Sequence, residues 1–565
     1  MTGGLEVWGG IECSVVRVGN TVRDQLQDTG HASRDDDIKL VAGLGLRTVR
    51  YPVLWEMVEG SPGKFDWRWT DKRLGDLNAH GISPIAGLVH HGSGPAWTDL
   101  LDPEFPEKLA FYAGRVAARY PWINMFTPVN EPFTTARICG LYGLWHPHAK
   151  DEQTCFRITV AECRAIALAM KAIRRITPGA KLVQTEDFGR IYSTPWLSDQ
   201  AEYENERRWI ATDLLAGRVG TSHRFYNRLI EAGVDHNQLA ELQAEPCPPD
   251  ILGIDYYLTS DRMLDHRLLH PDEPVGGNSR QSYTDTAAVR SCEPQVKPGL
   301  AGRLAEVWDR YKLPIAITEL HNGCSRDEQL RWLMEGWNTA LVARSGGIDV
   351  RAVTSWSLFG ALDWNSMMTR KECHYECGAF DARYTPPQPT VVATAISHLT
   401  QNGHFDHPAL DRPGWWHEHE GPTDNARPLV LAGFDRLTSA IEERCIRRRL
   451  RVLPCGRFDD PSLLFERHNA WAILRLKRPP QAIGPRPGDG PLRLQCVFLR
   501  GEELSVELPQ HADGHRFLDT FLDLIVDNRR GRLRCNGQPR SAVMNALVEL
   551  LPTLENTEVR ESDAA

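Results

Sequence analysis

From residue 4 to about 400 the chain alternates between short runs that are apolar at almost every position and longer stretches of helical period. The short runs are Leu5–Glu12, Thr48–Val53, Ile82–His90, Ile123–Glu131, Lys181–Asp187, Ile251–Tyr257, Pro314–Glu319 and Ala352–Leu358. Unbroken apolar runs of this length read as strands buried on both faces. Between them, Asp35–Leu44, Leu109–Tyr120, Val160–Ile176, Asp327–Ala343 and Pro389–Leu399 return an apolar residue every three or four positions, as a helix with one buried face does. Eight strands separated by helices predict a single (β/α)8 TIM barrel with insertions. The rival is a doubly wound sheet, which gathers its ligand at one switch point, often beside a glycine-rich first turn. Here polar residues stand at or near almost every strand end: Glu12, Arg50, His90, Glu131, Asp187, Tyr257, Glu319 and Trp356. A ring of strands around one site gives that distribution.

Two of these ends carry the chemistry. Glu131 closes Phe126-Thr-Pro-Val-Asn-Glu131, followed by Pro132, and Glu319 closes Leu313-Pro-Ile-Ala-Ile-Thr-Glu319. A carboxylate at the C-terminal end of a barrel strand points into the site where that architecture works. Two such carboxylates facing one another can cleave a glycosidic bond. A single glutamate so placed more often pairs with an arginine for structural reasons. The Asn-Glu-Pro context and the matching second strand weigh against that reading.

Residues 1 to about 400 resemble the family 1 glycoside hydrolases, the β-glucosidase type, through several motifs in one shared order. Thr127-Pro-Val-Asn-Glu-Pro132 is similar to the acid/base motif, and Ile317-Thr-Glu-Leu-His-Asn-Gly323 to the nucleophile motif with an inserted pair. Asp250-Ile-Leu-Gly-Ile-Asp-Tyr-Tyr257 resembles the segment whose tyrosine touches the nucleophile. Trp356-Ser-Leu-Phe-Gly-Ala-Leu-Asp-Trp364 resembles the segment that lines the sugar pocket. The resemblance implies a retaining β-glycosidase with catalytic Glu131 and Glu319. It implies a sugar-binding role for His90, and for Trp356, Asp363 and Trp364 along the pyranose ring.

The mechanism sets its own requirements. In a retaining enzyme one carboxylate attacks the anomeric carbon, while the other protonates the leaving oxygen and later deprotonates water. Glu319 must be ionised, which a nearby cation and hydrogen-bond donors favour. Arg50 is the candidate cation and the Tyr257 hydroxyl a candidate donor. Glu131 must keep its proton, and the charge of Glu319 raises its pKa in that direction. Asn130 can donate to the sugar 2-hydroxyl, a contact that strengthens in the transition state. Glu186 and Asp187, ending the fifth strand, are candidate rim residues.

The sequence departs from the family where the sugar is recognised. No glutamine stands at the expected spacing in Trp8-Gly-Gly-Ile-Glu-Cys-Ser-Val-Val-Arg17. Glu12 can take its place, but a carboxylate only accepts where an amide also donates. Asp363 replaces a glutamate, and His91 replaces the tryptophan after the strand-three histidine. The mechanism is expected to be retained on an altered glycone. A transglycosylase on the same site is the enzymatic alternative. A carbohydrate-binding pseudoenzyme or scaffold is the non-enzymatic one, against which both glutamates and Arg50 argue.

The rest of the chain adds a second region. Residues 403–427 are rich in proline and polar residues and read as a linker, on which Trp415 and Trp416 can pin to the barrel. In residues 428–553, Arg427–Gly433, Arg451–Pro454 and Ala470–Arg475 read as strands, and Leu437–Arg449 and His515–Asp527 as helices. The order is similar to sugar-nucleotide reductases of the dTDP-4-dehydrorhamnose reductase type, within the short-chain dehydrogenase superfamily. The dinucleotide fingerprint needs several glycines, and Ala432-Gly-Phe-Asp-Arg-Leu-Thr-Ser439 has one; no tyrosine follows Tyr384. The expectation is a smaller, degenerate Rossmann-like α/β domain without NAD(P), which covers the barrel or mediates homo-oligomer formation. Residues 554–565 are polar and read as a flexible tail.

Bulk properties exclude several classes. Of 565 residues 25% are charged, with a net charge of −9, which gives no electrostatic reason for nucleic acid or an anionic membrane as partner. No run approaches the length of a membrane span. The N-terminus shows no export signal, so the 13 cysteines are expected as reduced thiols in the cytoplasm. Cys373-His-Tyr-Glu-Cys377 lacks the second ligand pair of a zinc site, and neither metal nor cofactor is expected.

Overall fold

In a computed structural model of the chain, all eight apolar runs become strands of one closed parallel barrel. The structure describes residues 4–267, 275–278, 280–291 and 296–417, and shorter runs between 427 and 522. The barrel strands are β1 (Glu6–Gly10), β2 (Thr48–Pro52), β3 (Ser83–His90), β4 (Met125–Asn130), β5 (Lys181–Asp187), β6 (Ile251–Asp255), β7 (Ile315–Leu320) and β8 (Val350–Ser355). They neighbour one another in chain order, and β8 closes on β1 through Glu6↔Ala352 and Trp8↔Thr354. The floor of the barrel is apolar: Trp8, Ile85, Val183, Ala316 and Ala352 pack together inside it. The outer helices bury one stripe each, as in Phe105–Arg119, where Leu109, Tyr112, Ala113 and Val116 face inward.

The observed strands β1, β6 and β8 stop two or three residues short of the ends of the apolar runs. The extra residues, Glu12, Tyr257 and Trp356 among them, leave the ladder and turn over the barrel mouth. The ladder between β4 and β5 is shorter still, with only Met125↔Lys181 and Phe126↔Leu182 in register. Pro128 lies just beyond and has no N–H to give a partner strand. Side chains bridge the gap instead. Thr127 Oγ1 donates to Val183 O at 2.7 Å, and Gln184 Nε2 donates to Val129 O at 2.9 Å.

Two compact units divide the chain: Met1–Arg370 with Glu376–His419, and Lys371–Tyr375 with Glu420–Ala565. In the first, Trp416 is buried, stands edge-on to Trp332 and donates to Glu335 Oε2 at 2.7 Å. The second unit holds a five-stranded sheet. Leu429–Ala432 lies between Val452–Cys455 and Ala472–Lys477, parallel to both. Arg493–Phe498 and Glu503–Glu507 continue the sheet antiparallel. The antiparallel half differs from the all-parallel sheet of a doubly wound fold. Of the helix expected over Leu437–Arg449, the described residues Thr438, Ile441, Glu442, Arg444 and Cys445 are helical. The helix expected over His515–Asp527 lies outside the described residues apart from Phe521 and Leu522, and the tail 554–565 lies wholly outside them. Among the described residues no helix is long and apolar enough to cross a membrane.

Candidate active site

Three strand ends break the alternation of side chains, and each break brings a neighbouring pair into the barrel mouth. A strand sends consecutive side chains to opposite faces. His91 and Glu131 have positive φ, 56° and 44°, conformations that cost a non-glycine residue on the order of 1 kcal/mol and cluster at functional sites. At the end of β7 the register shifts between Ile317 and Glu319, and such a bulge re-aims the residue that follows. As a result His90 with His91, Asn130 with Glu131, and Thr318 with Glu319 all reach the same buried space.

The turn at Glu131 is held from the next strand. Phe133 N and Thr134 N open the short helix Pro132–Ala136 and have no earlier carbonyl to bond, as in any first helical turn. They donate to Glu186 Oε2 and Oε1 at 2.8 and 3.1 Å, and Thr134 Oγ1 adds a third bond at 2.7 Å. Glu186 is therefore a buried anchor rather than the rim residue expected from the sequence. Burial pushes its carboxyl up to about 7, against the hydrogen bonds from this turn.

Glu319 is the best-partnered carboxylate of the site. Arg50 Nη1 donates to its Oε1 at 2.8 Å, and the Tyr257 hydroxyl to its Oε2 at 2.6 Å. The same Arg50 donates to Thr318 O at 2.9 Å and to Asn130 Oδ1 at 2.5 Å. Thr185 Oγ1 is also bonded to Asn130 Oδ1, at 2.8 Å. With its oxygen taken twice, Asn130 turns its Nδ2 toward His90 and His91, at 3.4 and 3.3 Å from their Nε2 atoms. Burial and the nearby His91 and Arg50 hold the His90 imidazole far below its usual pKa, and burial with Arg50 lowers His91 to about 3. Both rings are neutral at ordinary pH.

Glu131, 5% exposed, has weaker support: His91 Nε2 lies 3.4 Å from its Oε2. Burial raises its carboxyl well above the usual range, and the charges of Asp255 and Glu319 add to that. Burial and Asp255 also raise Glu319, while Arg50 and Tyr257 act the other way. Burial outweighs the two donors more than the sequence suggested. The asymmetry between the glutamates nonetheless lies in those donors, which favour the anion on Glu319.

Asp255 completes a triangle. One carboxylate oxygen from each of Glu131, Asp255 and Glu319 lies within 4.8 Å of the others, all three residues buried. Such oxygens are a ligand set of the type a hard divalent cation takes; here Arg50 supplies positive charge to the triangle, 2.8 Å from Glu319 and 3.8 Å from Asp255. Sequence reasoning missed Asp255. The signal was present, because Asp255 stands two residues before Tyr257 and so shares its face of the strand. His91 was noted as a departure but not as a neighbour of Glu131.

The expected sugar ligands are also gathered, but most are already engaged. Glu12 Oε1 accepts from Ser14 N and Oγ at 3.0 and 2.6 Å, and Oε2 accepts from Trp356 Nε1 at 3.0 Å. The Trp356 ring is 3% exposed, stacks on His90 and lies 4.5 Å from the Arg50 guanidinium carbon. Gly10 makes room for it, since a Cβ there would stand 2.1 Å from the indole. Asp363 is 1% exposed and bonded to Arg23 Nη2 at 2.8 Å. Trp364 remains half-buried, edge-on to His91 at 5.6 Å, with its indole N–H unbonded.

Comparison with known proteins decides the family. Residues 15–375 match the sequence profile of Glycosyl hydrolase family 1. The chain belongs to this family. The chain is similar to the 6-phospho-beta-glucosidase of Clostridium longisporum, 24% identical over 379 residues, 59% of this chain and 76% of the relative. Beta-glucosidase A of Thermotoga maritima is 22% identical over 385 residues, 60% of this chain and 80% of the relative. Among solved structures, the family 1 β-glucosidase from Thermotoga maritima superposes with a TM-score of 0.56 at 16% identity. That match spans 71% of this chain and 98% of that one. The protein is a glycoside hydrolase of the β-glycosidase type, and both glutamates lie within the matched family 1 region.

Proposed function

We propose that the protein hydrolyses a small β-glycoside or oligosaccharide with retention of configuration, by double displacement through a covalent glycosyl-enzyme. The observation that carries this is the unequal partnering of two close carboxyls. Glu319 accepts from Arg50 and Tyr257 and serves as nucleophile; Glu131, without such donors, serves as acid and then base. Carboxyl oxygens within 4.8 Å fit the roughly 5–5.5 Å of retaining enzymes rather than the roughly 6.5–9.5 Å of inverting ones. In the first step Glu319 bonds the anomeric carbon as the aglycone leaves with the Glu131 proton. In the second, water gives its proton to Glu131 and its hydroxyl to the anomeric carbon, and Glu319 departs as carboxylate. Asn130 Nδ2 is the donor for the sugar 2-hydroxyl, and Trp364 supplies apolar surface.

The test is intact-protein mass spectrometry after incubation with a panel of activated 2-deoxy-2-fluoro β-glycosides. A gain of one glycosyl unit, absent in Glu319→Gln, is expected and names an accepted glycone. Folded protein that gains no mass with any sugar, and turns over none of the parent glycosides, sinks the assignment.

For the second unit we infer a degenerate Rossmann-like domain that does not bind NAD(P). A Cβ at Gly433, the lone glycine of the first turn, would stand 2.6 Å from Thr438 Oγ1 and 3.0 Å from Leu476. That crowding by the unit's own side chains supports the reading. NADPH fluorescence unchanged on mixing is the expected result.

A further inference from the structure

Three buried carboxyls share the barrel mouth, and the double-displacement scheme uses two. The third, Asp255, is 0% exposed and sits at the end of β6. Its Oδ1 accepts from Thr318 Oγ1 at 2.6 Å. Gly253 makes room for that threonine, since a Cβ there would stand 2.4 Å from Thr318 Oγ1. The other oxygen, Oδ2, is buried and accepts from no donor. A buried acceptor left unmet is destabilising. Two groups reach this carboxyl with a proton to offer, Thr185 and Glu131. The one hydroxyl proton of Thr185 is drawn to Asn130 Oδ1 at 2.8 Å. That leaves the Glu131 carboxyl, once protonated.

We infer that Asp255 is a positioning residue whose carboxylate accepts the Glu131 proton as a hydrogen bond and holds the acid loaded and aimed between turnovers. The inference rests on the acid role given to Glu131 above. Burial raises the Asp255 carboxyl, while Arg50 and Thr318, which face it, favour its anion. The other titratable or charged groups around the pair are Glu12 from β1, His90 and His91 from β3, Glu186 and Asp187 from β5, Tyr257 after β6 and Glu319 from β7. Both histidines are neutral, and the remaining acids oppose loss of the Glu131 proton rather than supply a donor. During catalysis the bond is broken in the first step and made again in the second. When the aglycone oxygen takes the proton, Glu131 becomes an anion beside Asp255, while Glu319 loses its charge in the glycosyl ester. When water gives Glu131 a proton, the bond to Asp255 forms again.

The test is the pH profile of kcat/KM for Asp255→Asn. The charge of Asp255 raises both catalytic carboxyls. Its removal must therefore lower both, and the acid and alkaline limbs both move toward acid, by on the order of one pH unit. A residue that merely supports the fold changes the height of the profile and leaves its limbs in place. Limbs that coincide with the wild type, or move toward alkali, overturn the inference. If Asp255→Asn does not fold, Thr318→Val removes the donor that holds the Asp255 anion, and a smaller shift of the same sign is expected. Failure of the glycosidase reading is recognised separately, by wild-type protein without turnover or adduct. In that case infrared difference titration reads the proton directly. A carboxylic-acid band lost in Glu131→Gln should disappear at lower pH in Asp255→Asn, and a band that does not move overturns the inference.

Discussion

The two sides of the barrel mouth are built on different rules. On the carboxylate side, Arg50, Asn130, Tyr257, Glu131 and Glu319 bond chiefly to one another, and what they leave open is a proton and an anomeric carbon. On the sugar side, Ser14 holds Glu12 and Arg23 holds Asp363, while Trp356 donates to Glu12 and stacks on His90. The first arrangement is prepared to change charge state in place, which is how a preorganised site stabilises charge as it develops. The second fixes walls. Glu12 has both oxygens occupied and Asp363 is held by Arg23, so under the proposed function the glycone would be chosen by the shape they hold more than by free acceptors waiting for hydroxyls.

The largest effects should fall on the carboxylate side. Glu319→Gln should lose about 10⁴-fold or more in kcat, as removal of a nucleophile does, with melting temperature little changed. Glu131→Ala should lose about 10²–10⁴-fold on glycosides with poor leaving groups and far less on dinitrophenyl glycosides. Added azide should restore turnover and give the β-glycosyl azide. Equal losses on both substrates would deny Glu131 its acid role.

A mutation on the sugar side should separate stability from chemistry. Arg23→Met leaves Asp363 buried without its cation, and breaking a buried pair in this way costs about 3–5 kcal/mol. The thermal midpoint should drop by several degrees, with KM raised more than kcat is lowered. A variant that melts like the wild type would show that the Arg23–Asp363 pair does not support the fold.

The smallest effect is on the support of the acid. Burial lifts Glu186 to about 7 from its ordinary 4.5. A carboxyl raised on folding contributes stability below its unfolded pKa, and that contribution is lost as pH rises through the folded one. The window here runs from about 4.5 to about 7. Glu186→Gln should flatten the loss of chemical stability between pH 5 and 7, read by urea unfolding at each pH. An unchanged slope would place the titration elsewhere.

The legibility of the molecule in its sequence follows the same division. All eight strands were readable because burial on both faces demands unbroken apolar runs. Glu131, Glu319 and Tyr257 were readable because they end those runs, and Arg50 because it is the one charge inside its run. Partners made through space were not readable. Nothing local to Asp363 announces Arg23, 340 positions earlier, and nothing near Glu12 announces Trp356. Glu186 was misplaced to the rim because the break that Pro128 makes in the β4–β5 ladder, and its repair by side chains, exists only in three dimensions. Asp255 was a failure of attention to alternation along β6 rather than of information.

The paired residues at the strand ends have a consequence for anyone moving this site to another scaffold. His90-His91, Asn130-Glu131 and Thr318-Glu319 each depend on a backbone that departs from strand geometry between or at the two residues. Copying the side chains onto regular strands would send one member of every pair outward into the helical shell. The unit of transfer is the dipeptide with its distorted backbone, and a single-residue insertion or deletion at any of the three would exchange a catalytic group for its neighbour.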